Sequence, residues 1–140
     1  MDPVNKLEKI LKNNRHNITK TRLRVFEMLL KLNKPISISD LILLGTNIDK
    51  VSVYRTIDLF EKLGIVHRVW TGFKSKIELS EDFSSHHHHF TCLNCSKTIN
   101  IESPKLEKEL HDLESRYRFQ LIQHSVELSG YCIKCRADSN

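Results

Sequence analysis

Nowhere in the 140 residues does an apolar run approach the roughly 20 that a bilayer span needs. Met1-Asp2-Pro3-Val4 has neither the basic start nor the greasy centre of a secretory signal, so the chain is expected in the cytoplasm. There is no HExxH, the helical motif that pairs a catalytic zinc with a general base, and a zinc-dependent hydrolase has nothing to rest on. The chain is therefore expected not to be an enzyme. Hydrophobic residues make up only 39%, below the globular average, so a metal or oligomerisation is expected to aid stability. Cysteine is confined to four residues, all inside two CxxC pairs. In a reducing compartment such pairs favour metal over disulfides.

What charge there is falls unevenly. Residues 1–70 carry 13 Lys and Arg against 7 Asp and Glu, a net of +6, whereas residues 71–140 carry 9 against 10, a net of −1. A basic front half attracts polyanions, nucleic acid above all, although a solvated lysine-rich surface would look the same.

The front half reads as helices followed by a hairpin. Asp2-Pro3 is an N-cap with proline in the first turn, and Val4, Leu7, Ile10 and Leu11 follow at helical spacing up to Asn13-Asn14. A second helix starts near 19–21, buries Phe26, Leu29 and Leu30, and stops before Pro35. Ser37-Ile38-Ser39-Asp40 opens a short third helix that ends at Gly45. A fourth spans 49–63, striped by Val53, Ile57, Phe60 and Leu63, with Gly64 at its C-terminal cap. The period then changes: 65–70 reads as a strand, 71–73 as a turn and 74–79 as a returning strand. Three helices and a hairpin make a winged helix, whose last helix enters the major groove. With the apolar stripe inward, Lys50, Ser52, Tyr54 and Arg55 are left at the outward N-terminal end, residue types suited to phosphates and base edges.

The back half reads as metal chemistry. Cys92-x-x-Cys95 and Cys132-x-x-Cys135 stand 36 residues apart, and two such turns complete the tetrahedron of a closed structural zinc site. Upstream runs His86-His87-His88-His89. In an extended segment His86 and His88 serve one face and His87 and His89 the other, so one strand could feed two metal sites. Ser103-Pro104 caps a helix with Leu106, Leu110 and Leu113 as its buried stripe and with Glu107 and His111 one turn apart on its flank. From Phe119 the pattern turns extended, with His124 inside an apolar strand running to Leu128; Glu78 stands between Ile77 and Leu79.

In order, these pieces resemble the ferric uptake regulator family of bacterial metal-sensing repressors. The resemblance rests on Thr19-x-x-Arg22, Val53-Tyr54-Arg55-Thr56, Gly64-Ile65-Val66, Ile77-Glu78-Leu79, the histidine run, Gln123-His124-Ser125 and both CxxC pairs, and it spans about residues 18–135. It implies an α+β chain: a winged helix-turn-helix domain over 1–82, then a small α/β dimerisation domain with a four-cysteine zinc site over 83–140. It further implies a homodimer on a palindromic double-stranded DNA operator, with Lys20 and Arg22 near phosphates beside the recognition helix, and no membrane or small organic substrate. One regulatory metal position would be His86, His88, Glu107 and His124. The other, between the domains, would draw on Glu78, His87 and His89, with Glu81, Asp82 or His67 as further donors.

That second position departs from the family pattern. A histidine expected before the third helix is replaced by Lys34-Pro35, and an expected carboxylate by Asn100, with Glu102 nearby. The expected function is a metal-responsive repressor carrying structural Zn(II) and regulatory Fe(II) or Zn(II), iron favoured. Metal between the domains is expected to fix the angle of the winged helices. A zinc sensor, a peroxide sensor and a histidine-rich metal-buffering protein that does not bind DNA are the alternatives.

Overall fold

The computed structural model describes residues 1–137, which form two compact units, 1–85 and from His86 onward. No helix among the described residues is long and apolar enough to cross a membrane.

The first unit contains helices α1 (Pro3–Asn13), α2 (Lys20–Leu32), α3 (Ile38–Leu44) and α4 (Lys50–Lys62), then strands β1 (Val66–Thr71) and β2 (Lys74–Leu79). Each helix begins where a side-chain oxygen can accept from an otherwise orphaned backbone N–H. Asp2 accepts from Asn5 N–H, Thr19 from Arg22 N–H, Ser37 from Asp40 N–H and Asp49 from Ser52 N–H, at 3.2, 3.3, 3.0 and 2.9 Å. The bond from Ser52 holds the Asp49 carboxyl below its ordinary value. After α4 the chain reverses through Gly64, whose φ of +67° a side chain would strain. Ile65 N–H then bonds Phe60 C=O at 2.8 Å and launches β1.

Antiparallel β1 and β2 pair from Val66↔Leu79 to Thr71↔Lys74, and Ile36 adds a bridge to Ile77. This is the winged helix. Its core is closed by Leu7, Leu11, Phe26, Ile57, Phe60 and Ile77, all fully buried, with Phe26 edge-on to Phe60 and Phe83 at 6.5 and 5.0 Å.

The second unit is a three-stranded sheet with two helices: β3 (His88–Cys92), β4 (Thr98–Ile101), α5 (Pro104–Tyr117), β5 (Glu127–Gly130) and α6 (Ile133–Ala137). The sheet order is β4-β3-β5, with β3 antiparallel to β4 and parallel to β5.

Two expectations fail here. The Leu106, Leu110, Leu113 stripe is not buried: α5 has no buried residue, and Leu113 is 40% exposed. Three short strands offer too little surface to cover a four-turn helix. His124 lies outside any strand, on an irregular segment three residues before β5. Strand pairing starts only where Glu127 comes opposite His89.

Candidate metal centres and nucleic-acid face

The four thiols converge because separate turns aim them at one point. Cys92 ends β3, and Cys95 closes the tight turn before β4, where Ser96 N–H bonds Cys92 C=O at 2.9 Å. Cys132 stands just before α6 and Cys135 within its first turn, and Cys132 N–H points at Cys92 Sγ at 3.3 Å. All four sulfurs lie within 4.8 Å of one another, with Cys95 and Cys132 Sγ 3.9 Å apart. Zinc–sulfur bonds of about 2.3 Å would give a tetrahedral edge of about 3.8 Å, so the cluster has the size zinc requires.

None of the four is in a disulfide. Backbone N–H groups of Cys132 and Cys95 lower the Cys92 thiol to about 6. Cys135 behaves oppositely. The Asn94 side chain pulls it down, but the Cys132 thiol, burial and the other sulfurs outweigh this and raise it to about 12. Metal is held by thiolates, so a cation that binds here displaces whatever thiol protons remain.

The second cluster is built at the other end of β3 and just before it. His86 and His88 stack edge-on at 4.8 Å, and both face His124, at 4.6 and 5.4 Å between ring centroids. Glu107, in the first turn of α5, reaches all three imidazoles. Its carboxylate oxygens lie 2.5 Å from His88 Nε2, 2.8 Å from His124 Nε2 and 3.4 Å from His86 Nε2. The His86 and His124 Nε2 atoms are themselves 3.0 Å apart. Burial would raise the Glu107 carboxyl, but the His88 hydrogen bond and the charge of the surrounding imidazoles win and lower it. Three ring nitrogens and a carboxylate pointing inward form a four-donor set for a divalent first-row metal. His111, also on α5, stands 6.3 Å from the His124 ring but is turned to Glu114, 3.0 Å away.

The remaining expected ligands fall on both units. In the first, Glu78 is buried on β2, with His67 Nε2 3.1 Å from its carboxylate, while Asp82 is engaged by Lys6 at 2.8 Å. In the second, the His87 and His89 rings meet edge-on at 4.9 Å, and His89 Nδ1 lies 2.8 Å from Glu127 Oε1. Glu127 escapes a reading of the sequence, because only the parallel pairing of β5 with β3 places it beside His89.

On α4 the residues Lys50, Tyr54 and Arg55 are exposed, with Lys50 Nζ 6.0 Å from the Tyr54 ring centroid. Ser52 is half-buried at the same end. Val51 shares this face at 56% exposure and was missed, since apolar periodicity does not flag an outward valine. Such a methyl pair suits a thymine methyl. At the start of α2, Lys20 is exposed, whereas the Arg22 guanidinium turns back to the Asn17 carbonyl. The hairpin tip carries Phe73, 95% exposed.

Residues 13–129 match the sequence model of the ferric uptake regulator family. The ferric uptake regulation protein of Escherichia coli K12 is 33% identical over 131 residues, covering 88% of this chain and 87% of its own length. That of Vibrio vulnificus is 36% identical over 121 residues, with 82% and 80% covered. Among solved structures, the Vibrio cholerae ferric uptake regulator superposes with a TM-score of 0.74 at 34% identity, over 89% of this chain and 98% of that one. The Helicobacter pylori regulator, described as having three functional metal-binding sites, shares the fold at TM-score 0.82 and 24% identity, over 95% and 91%.

Proposed function

The chain belongs to the ferric uptake regulator family, and from that premise we propose that it is a metal-responsive, DNA-binding transcriptional repressor and not an enzyme. The observation that carries this reading is the His86, His88, Glu107, His124 cluster, a four-donor set separate from the cysteines, in the same chain as a winged helix. Cys92, Cys95, Cys132 and Cys135 hold structural Zn(II). The histidine cluster holds a regulatory Fe(II) or Zn(II). Imidazole and carboxylate donors suit both ions, and iron is favoured by the relatives' names. A second regulatory position drawing on His87, His89 and Glu78 is part of the proposal and rests on the resemblance.

The winged helix uses Lys50, Ser52, Tyr54 and Arg55 in the major groove, with Lys20 and Arg22 toward the backbone. We read the assembly as a cytoplasmic homodimer on a palindromic operator. Phe90, Ile99, Tyr117, Phe119 and Ile122 are all exposed in the second unit, and an apolar surface of that kind suits a second copy. Metal raises operator affinity only by the difference between its affinities for the DNA-competent form and the other form.

Mobility shifts with duplex DNA, with and without added metal, test the reading. Metal-dependent retardation that Tyr54→Ala plus Arg55→Ala abolishes, with zinc content intact, is expected. Metal-independent binding, or none, would refute the repressor. Unchanged binding by the double variant would refute the assignment of α4.

A further inference from the structure

Adjacent histidines on β3 turn different ring nitrogens to their carboxylates. His88 presents Nε2 to Glu107 at 2.5 Å, with Nδ1 3.3 Å from the Val126 backbone nitrogen. His89 is arranged the other way round. Its Nδ1 faces Glu127 Oε1 at 2.8 Å, and an ionised carboxylate only accepts, so the hydrogen sits on Nδ1. The ring is 3% exposed, and its own backbone N–H bonds Val126 C=O at 3.3 Å, so it is fixed at both ends.

We propose that Glu127 is the positioning carboxylate of His89, locking the tautomer that makes Nε2 the nitrogen offered to a divalent first-row metal at the His87–His89 pair. This rests on the reading above that these two histidines hold a regulatory metal. A histidine ligand ordinarily donates its second N–H to a carboxylate, which orients the ring and raises its basicity. Glu127 stands in that relation to His89. The strand order explains why the carboxylate is here. His89 is flanked by Asn100 on β4 and by Glu127 on β5, so the neutral amide on one side is matched by an acid on the other. The negative charge beside this histidine is supplied from the parallel strand.

The test uses the full chain with its cysteine zinc in place, in a Glu107→Ala background that disables the neighbouring cluster. Co(II) is titrated against a competing chelator, and long-range proton–nitrogen correlation spectra report the imidazole tautomers. Glu127→Ala is expected to weaken Co(II) binding about 10- to 100-fold and to move the His89 hydrogen off Nδ1. Glu127→Gln keeps an acceptor of the same shape without the charge, so it is expected to retain the tautomer and to lose affinity by a smaller factor. Its near-identical size keeps the test valid if the alanine variant misfolds. Wild-type affinity and an unchanged His89 tautomer in Glu127→Ala would overturn the proposal. Should His87→Ala plus His89→Ala also leave the titration unchanged, the regulatory site itself fails, which is a different result.

Discussion

Stripping zinc with a chelator, or replacing Cys95 by Ser, is expected to unfold the second unit and leave the first folded. The reason lies in where the apolar burial is. The hydrophobic core cluster falls wholly within the first unit, from Leu7 to Leu79. Among the described residues from His86 onward, the buried apolar side chains are Cys92 and Cys135, both members of the cysteine cluster. Besides the metal, β5 and the residue before it are joined to β3 by a parallel ladder of four residue pairs, the His89–Glu127 contact and the Val126 bonds to His88 and His89. Parallel pairing is the weaker kind, and small sheets without a core are marginal.

Structural zinc in small domains contributes about 10–16 kcal/mol, as much as the about 5–15 kcal/mol that separates a whole folded domain from its unfolded chain. Its loss therefore leaves that unit without a native state. Amide hydrogen exchange on protein shown by metal analysis to be zinc-free is the decisive assay. Amides of 86–137 should exchange as in an unfolded chain while those of α2 and α4 stay protected. Persistent protection in β3 and β5 would refute the reasoning.

Phe60, fully buried against Phe26, should cost about 3–5 kcal/mol when cut to Ala, read as a lower urea midpoint with the zinc content unchanged. Thr19→Ala removes the α2 cap and should cost about 1 kcal/mol by the same assay. Glu114 is held below its ordinary 4.5 by the His111 ring and the Leu121 N–H. Its stabilising contribution is therefore complete above pH 4.5 and is lost as pH falls through the depressed value. Glu114→Gln should flatten the acid limb of the stability–pH curve, and an unchanged slope below pH 4.5 would contradict the assignment.

Legibility in the sequence follows the range of the interaction. Asp2, Thr19, Ser37 and Asp49 act on backbone three residues ahead, so a linear reading finds them. Gly64 is legible because one strained φ is a local demand. The CxxC pairs are legible because each is a single turn, although 36 residues separate them. Glu127 is not, because its meaning depends on a parallel partner 38 residues away that no local pattern encodes. The α5 stripe misleads for a related reason. Leu106, Leu110 and Leu113 have helical spacing, but spacing says which residues share a side and not whether this chain alone has anything to lay against it.

On the proposed reading, one short segment, from His86 through β3 to Cys92, would serve three different coordination tasks in succession, which constrains its length. His86 and His88 reach one side, His87 and His89 the other, and Cys92 delivers a sulfur at the far end. Substituting any one of them damages one task. Deleting or inserting a single residue between His86 and Cys92 would exchange the two sides and turn the sulfur away from its partners at once. Within this segment a frame change of one would disturb every proposed metal site together.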